Sequence, residues 1–151
     1  MKIKKFFYLF SFFVFLLGID RWTKYWVLSW PKNHSISILP YVDFVFVQNR
    51  GIAFGLFSDS NINFLFISLF SLLLLFIIFH FYMPVFPVFP FILISSGAIG
   101  NILDRILYGY VVDFVKIGSF YVFNIADASI TIGSLLLALM LLFEKKHQNA
   151  T

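Results

Sequence analysis

The stretch INFLFISLFSLLLLFIIFHFY, residues 62–82, decides which kind of fold this chain can adopt. It contains no Asp, Glu, Lys or Arg, and an α-helix of this length crosses the roughly 30 Å hydrocarbon core of a bilayer. Because lipid offers no hydrogen bonds to backbone amides, a span must be a helix or part of a closed barrel, and an unbroken apolar run favours the helix. The stretch therefore predicts a transmembrane helix.

The composition of the whole chain shows the same bias. Of its 151 residues, 61% are hydrophobic and 12% are charged, and the mean hydropathy is +0.94. Such a chain has too little polar surface to cover a water-facing particle, which excludes a soluble globular domain. The net charge of +4 does not indicate nucleic-acid binding, because the basic residues are isolated or lie at the termini. The chain has no Cys and its three His show no ligand spacing, so we expect no metal and no other cofactor.

Three further apolar runs lie on either side of this stretch. The first covers 6–28 and has no small-x-small cleavage site, so we interpret it as a retained span rather than a cleaved signal peptide. The others cover 91–108 and 124–143, and we interpret the Pro-rich segment 83–90 as a connector that stops a helix. We expect one integral membrane domain over residues 1–151.

Two segments outside the spans alternate in polarity as strands do. They cover 36–47 and 107–123, with Gly109 and Gly118 as turn points in the second. Four spans place both termini on one side, and the lysines near both ends identify that side as cytoplasmic. The expected fold class is therefore membrane α-helical, with four transmembrane helices, both termini cytoplasmic and a small extracytoplasmic β-cradle.

Polar side chains form stripes at helical spacing on the third and fourth predicted spans. The stripes consist of Gly97, Asn101, Asp104, Arg105 and Tyr108 on the third span and Asn124, Asp127, Thr131 and Ser134 on the fourth. An ionisable group inside a span costs about 2.5–3.5 kcal/mol on insertion scales, so the stripes should face protein or a water-filled cavity. A purely structural role stays open, because small and polar stripes also join helices to one another.

Several of the acidic residues have structural interpretations. Asp20 and Lys24 are spaced i, i+4 and can neutralise each other, and Asp104 can pair with its neighbour Arg105. Asn and Asp also suit the cap and first turn of a helix, which fits the start of the fourth span at 124–127.

Two further positions suggest hydrolytic chemistry. Asp113 lies in the extended segment 111–115, and Asp127 lies at the outer start of the fourth span. Two close carboxyls share one proton, so that the ionised one activates water while the protonated one donates to the oxyanion or the leaving amine. The spacing does not establish that these two residues meet, nor does it choose them over Asp104.

A small transporter or channel, with an ion path through Asp20, Asp104 and Asp127, is the alternative from another class of function. It predicts polar residues through the whole membrane depth, whereas the acids gather at one membrane face and 62–82 is almost entirely apolar. A purely structural subunit would leave so many Asn and Asp side chains without a role.

Four blocks of sequence carry a resemblance to a known family. They are DRWTK at 20–24, NRGIAFG at 49–55, GAIGNILDR at 97–105 with GYVVDF at 109–114, and FNIAD at 123–127. In these blocks, and in their order, the chain resembles the lipoprotein signal peptidases, or signal peptidase II, which are aspartic endopeptidases of the bacterial inner membrane. It departs from the usual pattern at Arg21, where Gln is common, and at Tyr121, where Pro is usual.

The resemblance implies the role of each site residue. It implies that Asp113 and Asp127 are the catalytic pair, that the site is lined by Asn49, Asn101, Arg105 and Asn124, and that structural support comes from Asp20, Lys24, Asp104 and Gly51.

The resemblance also implies the partners and the location of the chain. The substrates would be diacylglyceryl-modified prolipoproteins, cleaved on the amino side of the lipobox Cys. The chain would be a multi-pass monomer in contact with membrane lipid, with no nucleic-acid partner and no metal. Its location would be the bacterial inner membrane, with the active site at the extracytoplasmic face.

Overall fold

The computed structural model describes residues 2–31, 34–50, 69, 72–73, 76–77, 88–119 and 121–148. Within the predicted span at 62–82, the structure describes positions 69, 72–73 and 76–77, and these are helical. The predicted support residue Gly51 also lies outside the described residues.

The described residues include three long helices, α1 (Lys2–Leu28), α2 (Phe89–Tyr108) and α3 (Ile125–Gln148). Each contains a stretch long and apolar enough to cross a membrane: Phe6–Leu28, Phe89–Tyr108 and Ile125–Phe143. In α2, 44% of that stretch is buried, against 6% in α1 and 17% in α3, so α2 is the central helix and the other two expose most of their apolar surface. Such exposure requires lipid rather than water as the surrounding solvent.

The start of α2 differs from the prediction at 91. The helix begins at Phe89, so Pro90 lies in its first turn rather than in the connector, because a first-turn residue needs no backbone N–H for the helix. The helix ends where predicted: Gly109 adopts a left-handed φ of 76° and its amide donates to the carbonyl of Arg105 at 3.1 Å.

A four-stranded antiparallel sheet forms the polar part of the fold. Its order is that of the sequence: β1 (Ser35–Leu39), β2 (Val42–Asn49), β3 (Val111–Ile117) and β4 (Tyr121–Phe123). The predicted small sheet is confirmed, but 107–108 belongs to α2 rather than to a strand. Gly118 turns the chain between β3 and β4 with a φ of 62°. The turn between β1 and β2 places Tyr41 at a φ of 69°.

The sheet packs against the end of α1. Val27 of α1 is fully buried against Val112 and Phe114 of β3, which form one apolar cluster. Residues 111–114 of β3 are all buried, because one face packs on this cluster and the other faces the polar ends of the helices.

Helices α2 and α3 approach each other closely at two glycines. A Cβ added at Gly97 would lie 2.8 Å from Cγ1 of Ile130, and closer still to the carbonyl oxygen of Ala126. A Cβ added at Gly133 would lie 2.8 Å from the carbonyl oxygen of Pro90. This close packing brings the polar stripe of α2 into contact with the first turn of α3.

Candidate active site

Asp113 lies on β3 with its side chain 2% exposed. Its Oδ1 accepts a hydrogen bond from Nδ2 of Asn124 at 2.7 Å, and its Oδ2 accepts one from Nδ2 of Asn49 at 2.9 Å. Asn49 reaches this position because the antiparallel register places it opposite Val111 and thus diagonal to Asp113.

Asp127 lies in the first turn of α3 and is held in the same way. Its Oδ1 accepts a hydrogen bond from Nδ2 of Asn101 at 2.7 Å, and its Oδ2 accepts one from the backbone amide of Asn124 at 3.3 Å. Both oxygens of Asp113 and both oxygens of Asp127 therefore accept a hydrogen bond from an amide.

Asn124 connects the two carboxylates and is itself fully buried. Its Nδ2 donates to Asp113, while its Oδ1 accepts from the backbone amide of Asp127 at 2.8 Å. The latter bond caps α3, so the capping interpretation of Asn124 is correct. The side chain of Asn124 therefore caps α3 and also contacts the site, because at the cap position its amide group faces β3.

The environment of Asp113 favours its protonated form. Burial, followed by the nearby charge of Asp127, raises the pKa of the Asp113 carboxyl to about 6. The hydrogen bonds from Asn49 and Asn124 lower the pKa and only partly offset this rise. A carboxyl of this kind can carry a proton in mildly acidic water, as a general acid must.

A cluster of four charged side chains lies behind the pair, and we call it the charge cluster: Asp20, Arg21, Lys24 and Asp104. The expected Asp20–Lys24 pair is present, with Nζ of Lys24 3.0 Å from Oδ2 of Asp20. Nζ of Lys24 also lies 2.8 Å from Oδ2 of Asp104 and donates to Oδ1 of Asn101 at 3.0 Å. Lys24 thus uses all three ammonium protons, with 1% of its side chain exposed.

The salt bridges of Asp104 are made with residues of α1 rather than with its neighbour Arg105, the partner that the sequence left open. Asp104 pairs with Lys24 and with Arg21, whose Nη2 is 2.7 Å from Oδ1 of Asp104, and both partners come from α1. Arg105 donates to the backbone carbonyl of Asn101 at 3.2 Å and lies within electrostatic range of Asp127, Asp104 and Asp113. Neighbouring residues on a helix point about 100° apart, which is why Asp104 and Arg105 have different partners.

The contribution of Arg21 was missed from the sequence. Arg21 and Lys24 are spaced i, i+3 and therefore share a helix face, and this spacing was the available indication that they act together. Across the parts of the chain that the structure describes, no three His, Cys, Asp or Glu side chains are grouped so that they could hold a metal ion.

The three membrane-length helices and the small sheet bring together two amide-bound carboxylates, of which Asp113 is buried and Asp127 is half-buried. This combination of fold and site is that of an integral membrane enzyme. One solved bacterial membrane enzyme, determined by the in meso method at 2.3 Å, matches with a TM-score of 0.79 and 31% identity over 92% of this chain and 90% of its own. A second, determined at 1.9 Å, matches with a TM-score of 0.74 and 32% identity over 89% and 92%.

The chain belongs to the signal peptidase (SPase) II family, whose sequence profile matches residues 12–143. It is 36% identical to the lipoprotein signal peptidase of Streptococcus thermophilus over 83% of this chain and 86% of the relative. It is 41% identical to that of Wigglesworthia glossinidia brevipalpis over 79% and 84%. The chain is therefore a membrane protease that removes signal peptides from lipoprotein precursors, and this decides against the transporter alternative.

Proposed function

We propose that Asp113 and Asp127 are the catalytic pair of this peptidase. The observation that supports the assignment is the bridge made by Asn124, which donates its side-chain amide to Asp113 and its backbone amide to Asp127. Asp20 and Asp104 are the other two acids near the pair, and both are engaged in ion pairs with cations. A carboxylate neutralised by Lys or Arg is a poor proton acceptor, which favours Asp113 and Asp127.

The reaction needs one proton shared by the two carboxyls. The ionised carboxylate accepts a proton from a water molecule while the oxygen of that water attacks the scissile carbonyl carbon. At the same time the protonated carboxyl donates its proton to the carbonyl oxygen. The tetrahedral intermediate then collapses: the C–N bond breaks, the leaving nitrogen takes up the proton gained from water, and one hydroxyl of the intermediate returns a proton to the other carboxylate. The proton belongs to the pair, since two coupled carboxyls titrate together.

The amide side chains around the pair have separate roles. Asn49, Asn101 and Asn124 hold the carboxylates in fixed orientations. Arg105 supplies a positive charge that favours the state with one ionised carboxylate over the state in which both carboxyls are protonated. Gly51 belongs to the same assignment by its place in the NRGIAFG block, outside the described residues.

The proposed substrate is a prolipoprotein that carries diacylglyceryl on its lipobox Cys, cut on the amino side of that Cys. A lipidated substrate lies in the bilayer, so it can enter from the side between helices. The fold supports this route, because α1 and α3 leave most of their apolar surface exposed to lipid.

The proposed topology is a single domain over 1–151 with four spans, both termini cytoplasmic and the active site at the outer face of the inner membrane. It is supported by the aromatic side chains at the end of α1 nearest the sheet, where Trp22 and Tyr25 are 67% and 73% exposed. Exposed Trp and Tyr are typical of the membrane–water interface. We further propose that the chain acts as a monomer, with membrane lipid around it, no nucleic-acid partner and no cofactor.

A cleavage assay with two substrates tests the proposal. The purified protein in detergent or lipid is incubated with a prolipoprotein that carries diacylglyceryl and with the same precursor lacking it, and the products are identified by mass spectrometry. We expect a new N-terminus at the modified Cys and no product from the unmodified precursor. Cleavage elsewhere, or equal cleavage of both precursors, would contradict the proposed substrate.

A further inference from the structure

We propose that Arg21 is a positioning residue for the Asp113–Asp127 pair. It contacts Asp20 and Asp104, whose carboxylates accept hydrogen bonds from the backbone amides next to that pair. The inference rests on the proposed function, in which Asp113 and Asp127 are catalytic. It concerns a residue at which this chain departs from the pattern of the family that it resembles.

The two acids of the charge cluster each bind a backbone amide next to the pair. Oδ1 of Asp20 accepts a hydrogen bond from the amide of Ala126 at 3.0 Å, one residue before Asp127. Oδ2 of Asp104 accepts a hydrogen bond from the amide of Val112 at 3.1 Å, one residue before Asp113. The positions of Asp20 and Asp104 therefore set the separation between β3 and the start of α3.

Arg21 holds these two acids to each other. Its Nη2 lies 3.0 Å from Oδ2 of Asp20 and 2.7 Å from Oδ1 of Asp104. The two protons of this nitrogen are donated to Oδ2 of Asp20 and to the carbonyl of Gly100 on α2, each at 3.0 Å, so its contact with Asp104 is an ion pair without a hydrogen bond. Arg21 thus joins α1 to α2 at the level of both amide bonds.

The charge balance explains why a second cation matters. Asp20 and Asp104 are 2% and 0% exposed, so each carries a negative charge that water does not solvate. With Arg21 and Lys24 the cluster is neutral, whereas Gln at position 21 would leave one cation for two buried carboxylates. The ammonium of Lys24, which also orients Asn101 towards Asp127, would then be drawn towards the acids.

The expected pH effect follows from the charges around the pair. The pair is faced by Asp20 and Lys24 from α1 and by Asp104 and Arg105 from α2, and Arg21 acts on it through its contacts with Asp20 and Asp104. Removal of the Arg21 charge leaves Lys24 as the one cation of the charge cluster, and the more negative surroundings raise the pKa of the Asp113 carboxyl. The limb of the profile of kcat/KM against pH that reports Asp113 should therefore move to higher pH.

Two substitutions at position 21 test the proposal in the full-length protein. Arg21→Gln should lower kcat on the order of tenfold, as displacement of a catalytic group does, with KM close to that of the parent. Arg21→Lys keeps the charge on a side chain that ends in a single, differently placed nitrogen, so it should restore the Asp113 limb and part of kcat. Lys4→Gln removes the same charge from an exposed position on α1 and should leave kcat and the pH profile unchanged.

Hydrogen exchange supplies a measurement that does not depend on activity. The amides of Val112 and Ala126 should exchange faster in Arg21→Gln than in the parent, and equally fast in Lys4→Gln and the parent. If the parent does not cleave, or if Asp127→Asn still cleaves, the proposed function fails, and the exchange rates alone then decide whether Arg21 fixes these amides.

Three results would overturn the inference. One is a parent-like kcat and a parent-like Asp113 limb in Arg21→Gln, with only a lower thermal stability, and another is parent-like exchange at both amides. If Arg21→Gln does not fold, Arg21→Met, which also removes the charge, takes its place: a reduced kcat at unchanged KM supports the inference, and a parent-like kcat overturns it.

Discussion

Nδ2 of Asn124 lies 2.7 Å from Oδ1 of Asp113, and the other end of the same amide caps the helix that carries Asp127. One residue therefore fixes a strand carboxylate and a helix carboxylate with respect to each other. The fold achieves this because β3 runs past the amino end of α3, where the side-chain amide of the cap residue can donate to a carboxylate on the strand.

The two roles of Asn124 can be separated by substitution. In Asn124→Ser the hydroxyl still caps α3, but the amide donors to Asp113 are lost, so we expect a stability change within about 1 kcal/mol. We expect kcat to fall on the order of ten- to a hundredfold, because Asp113 loses an orienting hydrogen bond. Thermal unfolding and turnover of the same preparation measure the two effects. Parent-like turnover in Asn124→Ser would contradict the orienting role.

The charge of Asp127 contributes to the raised pKa of Asp113. The Asp113 carboxyl should titrate near pH 6 in the parent, and Asp127→Asn should lower this pKa because it removes the like charge. The pKa should stay above its ordinary value, since burial remains the larger cause. The carboxyl resonance of Asp113 in protein labelled with ¹³C-Asp, titrated in both forms, measures the shift. An unchanged or higher pKa in Asp127→Asn would show that the two charges do not interact.

The close approach of α2 to α3 at Gly97 should be sensitive to a single methyl group. Gly97→Ala forces Ala126 and Ile130 away, so we expect a loss of about 1–3 kcal/mol in the free energy of unfolding and reduced turnover. Gly18 of α1 is the matched control, because a Cβ there meets nothing within 4 Å. Gly18→Ala should be neutral or slightly stabilising. Equal stability of the two variants would contradict the packing.

The proposed orientation can be tested with single cysteines, because the chain has none of its own. Lys4→Cys and Ser37→Cys each place one thiol at an exposed position, on α1 and on β1 respectively. The assay uses cells from which the wall or outer membrane has been removed while the cytoplasmic membrane stays intact. A membrane-impermeant maleimide should then label position 37 and leave position 4 unlabelled. The reverse pattern would place the sheet and the active site on the cytoplasmic side.

The sequence predicted local features well, because each depends on residues close together in the chain. The end of α1 at Leu28, the turn at Gly118 and the cap at Asn124 follow from apolar runs, glycine conformation and capping preference. The start of α2 was predicted two residues late, because Pro90 was counted as a helix breaker although the first turn accepts it.

Long-range pairings could not be predicted from the residues themselves. The pairing of Asp104 with Arg21 and Lys24 depends on how α1 is rotated against α2, and the contact of Asn49 with Asp113 depends on the register of β2 and β3. Neither is set by spacing along the chain. The choice of Asp113 and Asp127 over Asp104 came from the family resemblance, and the ion pairs of Asp104 now supply a physical reason for it.

Cleavage of a diacylglyceryl-modified prolipoprotein by the parent, Asp113→Asn and Asp127→Asn tests the central claim most directly. Each protein is shown to be folded by thermal unfolding before the assay, and the product is followed by its shift on a gel. We expect cleavage by the parent and none above background by either variant, because each substitution removes a carboxyl that must accept or donate a proton. Turnover by either folded variant at a rate near that of the parent would contradict the assignment of the catalytic pair.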